Sequence, residues 1–155
     1  MRNSGRFVPT LGVHCRDHLR RAHMTETDAH ALTVESSRSA EGIDLVALHG
    51  ELDFSSSEPL SSAFAALSGG RRRVVVDLGG MTFVDSSGVK MIVAAARAVE
   101  EAGGVFVLAA PTRSVRRVFE ILHLDEIVTV EDDLRGALER ASRFEGNGAG
   151  AEGAA

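Results

Sequence analysis

Apolar positions follow two different periods along most of the chain, one typical of strands and one typical of helices. A β-branched run at 73–78, bounded by Gly79-Gly80, and an all-apolar run at 105–109 predict buried strands, because a parallel strand is covered on both of its faces. Between these runs, apolar residues recur at helical spacing and predict a helix over 86–102 that ends at a glycine pair. This segment therefore predicts the order strand, helix, strand.

The remainder of the chain continues the same alternation. Further strands are predicted at 32–36, 43–49 and 127–130, and further helices from a serine cap at 55–57 to Gly69-Gly70, from Pro111-Thr112 onward, and over 132–144. About five strands alternating with about four helices predict an α/β domain with a largely parallel sheet and right-handed crossovers. Such a sheet offers its sites at the carboxyl ends of its strands.

Composition indicates a protein of ordinary globular type. The 155 residues are 44% hydrophobic and 25% charged, which suits one domain with a real core. The single cysteine, Cys15, excludes an internal disulfide framework and is typical of a reducing compartment. Neither an apolar run of membrane-span length nor a secretory apolar region is evident, so we predict a cytoplasmic protein.

Charge is distributed unevenly between the start of the chain and the rest. Residues 1–23 carry a formal charge of +4, which leaves −9 on residues 24–155. An acidic domain repels nucleic acid, so we predict no direct nucleic-acid partner and no membrane partner. We expect a basic, disordered extension over 1–28 with Met24 as a candidate natural start, a folded domain over 29–144, and a disordered Gly/Ala tail over 145–155.

The segment Asp85-Ser86-Ser87-Gly88-Val89 contains the candidate chemistry of the chain. It stands where a predicted strand gives way to a predicted helix, and Asp85 is a favourable N-cap. Ser86 and Ser87 then fall in the first helical turn, beside N–H groups that lack a helical partner. A phosphate added there would meet these donors and the positive end of the helix dipole. On local chemistry alone, an ordinary capped helix is the alternative interpretation.

Motifs for other functions are incomplete. The dinucleotide pattern at 148–153 lacks the preceding strand and following helix, and the cluster of His14, Cys15 and His18 lacks a supporting core for a metal. The serine pair does not have the G-x-S-x-G context of a serine hydrolase. A receiver domain would need an acidic pair at the end of an early strand and a lysine after the 105–109 strand, and the sequence has neither. We therefore predict no catalytic residue, metal site or cofactor, and no enzyme activity.

Several segments in the same order carry a family resemblance. They are Gly50-Glu51-Leu52-Asp53, 74–78, 83–89, Gly103-Gly104-Val105 and 111–115. On these residues the chain, from about Leu32 to Ala141, resembles the STAS domain family and, within it, the bacterial anti-sigma factor antagonists. The resemblance implies a single STAS-like α/β domain with a mixed, mostly parallel sheet.

The resemblance also implies a switch. Ser86 matches the phosphoacceptor of such antagonists, which bind an anti-sigma factor that is also a serine kinase and so release a sigma factor. Phosphorylation breaks the complex, and a serine phosphatase restores it. Lys90 departs from the family, which usually has a small residue there. A STAS scaffold that does not switch and a STAS domain that senses a small molecule are the alternatives.

Two helix starts are expected to form one partner-binding surface, since neighbouring parallel strands end at the same edge. Its predicted members are Asp53, Phe54, Ser55, Ser56, Asp85, Ser86, Ser87, Gly88, Val89 and Lys90. Phe54 is the candidate apolar anchor if it is exposed, because aromatic residues concentrate binding energy. A buried Phe54 in the core is the alternative.

Overall fold

The computed structural model describes residues 31–67 and 70–144, which form one sheet and four α-helices. The strands are β1 (Thr33–Arg38), β2 (Ile43–Leu52), β3 (Arg73–Val84), β4 (Val105–Ala109) and β5 (Thr129–Glu131). The helices are α1 (Ser57–Ala65), α2 (Ser86–Glu101), α3 (Arg113–Ile121) and α4 (Leu134–Arg143), with short 3-10 turns at Phe54–Ser56 and Leu124–Glu126. The predicted α/β class and the predicted numbers of elements are confirmed.

Strands that follow one another in the chain are also neighbours in the sheet. The order is β1-β2-β3-β4-β5, with β1 antiparallel to β2 and all other pairs parallel. This arrangement confirms the mixed, mostly parallel sheet. No helix within residues 31–67 and 70–144 has both the length and the apolarity that crossing a bilayer requires.

Helices cover the sheet unequally. The larger core joins α1, α2 and α3 to one face of the sheet, with Ile92 and Phe119 among its buried helical members. On the other face, α4 packs Ala137 and Ala141 against Val75 and Val107. The central strands are therefore apolar on both faces, which explains their continuous hydrophobic runs.

The third strand is longer than predicted. Its predicted end at Leu78 rested on Gly79-Gly80, but the chain stays extended through both glycines to Val84. The His49 ring of β2 lies against Gly80, where an added Cβ would come within 2.0 Å of the His49 Nδ1. A register shift occurs beside this contact. Glycine here permits close approach of a neighbouring side chain instead of ending the strand.

The last strand also differs from its prediction, since it spans Thr129–Glu131 and not 127–130. Several other predictions lie outside the described residues. They concern the extension over 1–28, the candidate start at Met24, the cluster of His14, Cys15 and His18, the helix end at Gly69, and the segment 145–155 with its dinucleotide-like pattern.

Candidate functional site

Strands β2 and β3 end side by side, and this pairing creates the site. Leu52 and Val84, their last residues, are register partners, and the Asp85 N–H donates to the Leu52 carbonyl at 3.2 Å. Asp53 and Asp85 therefore begin two neighbouring helical segments at one carboxyl edge of the sheet. Pairing of β3 with β4 stops earlier, at Asp77 and Ala109, so the site lies on a part of β3 that extends past β4.

Asp85 caps α2, as predicted. Its backbone is extended, with φ −107° and ψ −177°, and its Oδ1 accepts a hydrogen bond from the Gly88 N–H at 2.9 Å. The Asp85 carbonyl in turn accepts from the Val89 N–H at 3.0 Å. These bonds define Ser86 as the first residue of the helix, and its side chain is exposed.

Close packing under the first turn determines which of its residues reach the surface. A Cβ added at Gly88 would come within 2.7 Å of the Leu52 Cγ and 2.8 Å of the Val84 Cγ2. Gly88 and Val89 are consequently buried. Both belong to the predicted partner-binding surface, but in this position they support the turn from below and present no side chain to a partner. Ser87 is half-buried, and Lys90 is exposed.

Asp53 organises the neighbouring helix start through a dense set of hydrogen bonds. Its Oδ1 accepts from the Ser55 hydroxyl at 2.8 Å, and from the Ser56 N–H and hydroxyl at 3.0 and 3.1 Å. The Ser56 Oγ accepts from the Asp53 N–H at 2.9 Å. The Ser55 hydroxyl is the main cause that holds the pKa of the Asp53 carboxyl below its ordinary value; desolvation opposes it, and the Ser56 hydroxyl and N–H lower this pKa further.

Two aromatic side chains are exposed near these helix starts. Phe54 directly follows Asp53 and is 78% exposed, so the alternative that it belongs to the core is wrong. Phe83, two residues before Asp85, is 46% exposed. Phe83 was not among the predicted surface residues, because the strand was predicted to end at Leu78. The G-E-L-D segment opposite it was a usable signal, since Glu51 is the register partner of Phe83.

The start of α3 supports the part of β3 that extends beyond its pairing with β4. The Thr112 hydroxyl donates to the Met81 carbonyl at 2.9 Å, and the Ser114 hydroxyl donates to the Thr82 carbonyl at 3.1 Å. These two bonds satisfy carbonyl groups of β3 beyond the end of its pairing with β4. The segment bearing Phe83 is thereby held in place without a third strand.

The exposed Ser86 directly follows Asp85, and the pairing of the strand ends places the Asp53–Phe54 segment next to this helix start. Within the described ranges, no group of three or more His, Cys, Asp or Glu side chains is placed to hold a metal ion. Phe54 and Ser86 are exposed at the two neighbouring helix starts, and Phe83 is exposed on the strand that leads into α2. Exposed aromatic residues are typical of protein–protein interfaces, where such residues are enriched.

Comparisons with known proteins agree with this architecture. The STAS domain family profile matches residues 36–137. BtrV of Bordetella bronchiseptica, named as a proposed anti-sigma factor antagonist, is 33% identical over 82 residues, covering 52% of this chain and 71% of BtrV. A STAS domain protein of Planctomyces limnophilus matches with a TM-score of 0.64 and 23% identity over 70% of this chain and 97% of its own. The unphosphorylated anti-sigma factor antagonist SpoIIAA matches with a TM-score of 0.59 and 23% identity, over 72% of this chain and 98% of its own.

Proposed function

The chain belongs to the STAS domain family, and from this membership we propose that it is an anti-sigma factor antagonist. In its unphosphorylated form it binds an anti-sigma factor, which thereby releases a sigma factor in the cytoplasm. The anti-sigma factor is also a serine kinase that modifies Ser86, and a serine phosphatase reverses the modification. The name of the relative BtrV supports the antagonist function.

The position of Ser86 supports the proposed switch. Ser86 is exposed at the first position of α2 and adjoins the Asp53–Phe54 segment through the pairing of Leu52 with Val84. A kinase can reach this hydroxyl without unfolding the helix, because the Asp85 cap already defines the turn. The half-buried Ser87 is less accessible. The proposed acceptor therefore lies within the proposed binding surface.

The proposed modification is a phosphoryl transfer from ATP. The Ser86 Oγ attacks the γ-phosphorus, the bond to the bridging oxygen of ADP breaks, and the hydroxyl proton leaves to a base of the kinase. The product carries roughly −1.5 to −2 charge at neutral pH. At the interface this bulky anion must be desolvated beside the partner. Mispaired interfacial charge costs about 2–5 kcal/mol, which is roughly a thirtyfold to several-thousandfold loss of affinity.

Binding and phosphorylation assays with matched serine variants test the proposal. A pull-down with the unmodified protein from its own cells supplies the anti-sigma partner. We expect Ser86→Ala to bind this partner and resist phosphorylation, whereas Ser87→Ala is phosphorylated like the wild type. We expect Ser86→Asp to lose partner affinity while its Tm stays within about 2 °C of the wild type, because the substitution is at the surface.

Two outcomes would contradict the proposal. Stoichiometric phosphorylation of Ser86→Ala by the captured kinase, read by mass spectrometry, would show that another residue is the acceptor. Capture of partners whose affinity is the same for the wild type and Ser86→Asp would favour the alternative of a STAS scaffold that does not switch.

A small-molecule-sensing STAS domain is a second candidate, and an apolar groove favours it. The groove lies between α1 and α2, has a volume of about 340 Å³, and is lined by apolar side chains that include Phe64, Leu67 and Met91. It does not include Ser86. Binding of an apolar dye that Met91→Ala weakens and Ser86→Asp leaves unchanged would support this second function.

A further inference from the structure

Lys90 shares the exposed side of α2 with Ser86. The two residues are four positions apart, so they lie one helical turn from each other on the same face. Both are exposed, whereas Val89 and Ile92 form the buried face of the helix. Side chains on a helix lean toward its N-terminus, so the Lys90 ammonium extends over the turn that begins at Ser86. Lys90 is the only lysine in the sequence.

The charges that surround Ser86 make this lysine distinctive. Asp85 precedes Ser86 directly, and Asp53 begins the neighbouring segment, so a carboxylate stands at each of the two paired helix starts. The next cation along α2, Arg97, lies about 16 Å from Ser86 along the helix axis. Lys90 forms no ion pair with another residue of the described ranges. Lys90 is thus a cation available to a new anion at Ser86.

We propose that Lys90 forms an ion pair with the phosphate on Ser86 and thereby limits how much phosphorylation weakens partner binding. This inference rests on the proposed function, because it takes Ser86 as the acceptor. An anion followed four residues later by a cation is the favourable orientation of an intrahelical pair. Partial neutralisation lowers the cost of bringing the phosphate to the partner, so the switch becomes weaker than it would be with a neutral residue.

The size of the effect follows from exposed helical ion pairs. Such a pair changes an equilibrium by roughly a factor of two, and the double charge of phosphate raises this to about two- to fourfold. We therefore expect the ratio of the Kd values of the phosphorylated and unphosphorylated forms to rise about two- to fourfold in Lys90→Gln. Lys90→Arg should keep the wild-type ratio, since it preserves the charge.

A phosphoserine installed at position 86 by genetic code expansion allows the pair to be measured without a kinase. The probe is the second ionisation of the phosphate, followed by 31P NMR. Lys90 favours the dianion, so the pKa of this ionisation should be lower in the wild type than in Lys90→Gln. The expected difference is an acid dissociation constant about twofold larger in the wild type. Asp85 and Asp53 raise this pKa in both proteins, so they do not affect the comparison. The difference should vanish in 1 M NaCl.

A relocated lysine is the matched control. Lys90→Gln combined with Ala94→Lys keeps the net charge and places the cation two turns from Ser86, on an exposed position of the same helix. The proposal requires this double variant to behave like Lys90→Gln. If the double variant behaves like the wild type, or if Lys90→Gln leaves the ionisation unchanged, the ion pair does not exist and the proposal is overturned.

The two proposals fail in different experiments. If the captured kinase does not modify Ser86, the proposed function is wrong, but the NMR comparison on the installed phosphate still reports the pair. If phosphorylation proceeds at Ser86 and the wild type and Lys90→Gln titrate alike, only the role of Lys90 is wrong.

Discussion

Aspartate side chains begin three helical segments of this domain by the same local means. Asp85 Oδ1 accepts from the N–H three residues ahead, Gly88, and Asp133 Oδ1 does the same with Gly136 at 2.7 Å at the start of α4. Asp53 bonds Ser56 with the same spacing. A carboxylate that satisfies an unpaired N–H group of the first turn stabilises a helix by about 1 kcal/mol.

The two α-helical caps differ in their expected effect on binding. Asp85→Ala and Asp133→Ala should each lower the free energy of unfolding by about 1 kcal/mol in urea titrations. Only Asp85→Ala should weaken binding of the anti-sigma partner, because Asp85 adjoins Ser86 while α4 lies on the other face of the sheet. Equal binding by both variants would mean that the α2 start does not contribute to the interface.

The lowered pKa of Asp53 predicts a pH dependence. The carboxylate form stabilises the folded state at pH values above the ordinary pKa of an aspartate, and this contribution is lost as the pH falls through the lower folded pKa. We expect Ser55→Ala to move the pKa of Asp53 upward, toward its ordinary value, in an NMR titration. Ser61→Ala, in the exposed part of α1, is the control and should leave it in place. An unmoved pKa in Ser55→Ala would exclude the Ser55 hydroxyl as the main cause.

Contact between a helix and the strands beneath it depends on one glycine. Helix α2 presses its first turn against Leu52 and Val84, and the space for a Cβ at Gly88 is absent on both sides. Alanine is worth up to about 1 kcal/mol more than glycine inside a helix, but overpacking a core costs about 1–3 kcal/mol. Since both contacts fall below 3 Å, overpacking should prevail.

Matched glycine variants measure this contact. We expect Gly88→Ala to destabilise the domain by about 1–2 kcal/mol. Gly136→Ala, at the equivalent position of α4, should cost less, because its Cβ would meet only the Asp133 and Glu131 carboxylate oxygens at 3.2 and 3.5 Å. The measurement is urea unfolding of both variants. A Gly88→Ala protein as stable as the wild type would show that the strand ends yield to α2.

For the domain as a whole, two exposed apolar residues allow partner binding to be distinguished from stability. Phe54 is 78% exposed at the site, whereas Ile121 is 67% exposed at the far end of α3. Truncating either should change the Tm little, since neither contributes to the core. We expect Phe54→Ala to weaken partner binding by at least tenfold and Ile121→Ala to leave it unchanged, as measured by calorimetric titration. Equal effects would place the interface elsewhere.

Much of the site could be predicted because its causes are local. The Asp85 cap depends on a side chain and an N–H three residues apart, and the buried face of α2 follows from helical spacing. Alternation of strands and helices similarly determined the α/β class, and the ordered motifs indicated the STAS family. These features need only residues that are close in the sequence, so the sequence by itself determined them.

Only the tertiary structure decided the features that depend on distant residues. Strand β3 continues past its glycines because the His49 ring of β2 packs on Gly80 and because α3 bonds its carbonyl groups beyond β4. That continuation exposes Phe83 and brings Asp53 beside Asp85. Exposure of Phe54 likewise depends on how the whole edge packs. A glycine pair has the same local freedom in a turn and in a strand, so only contacts from elsewhere in the fold could choose between them.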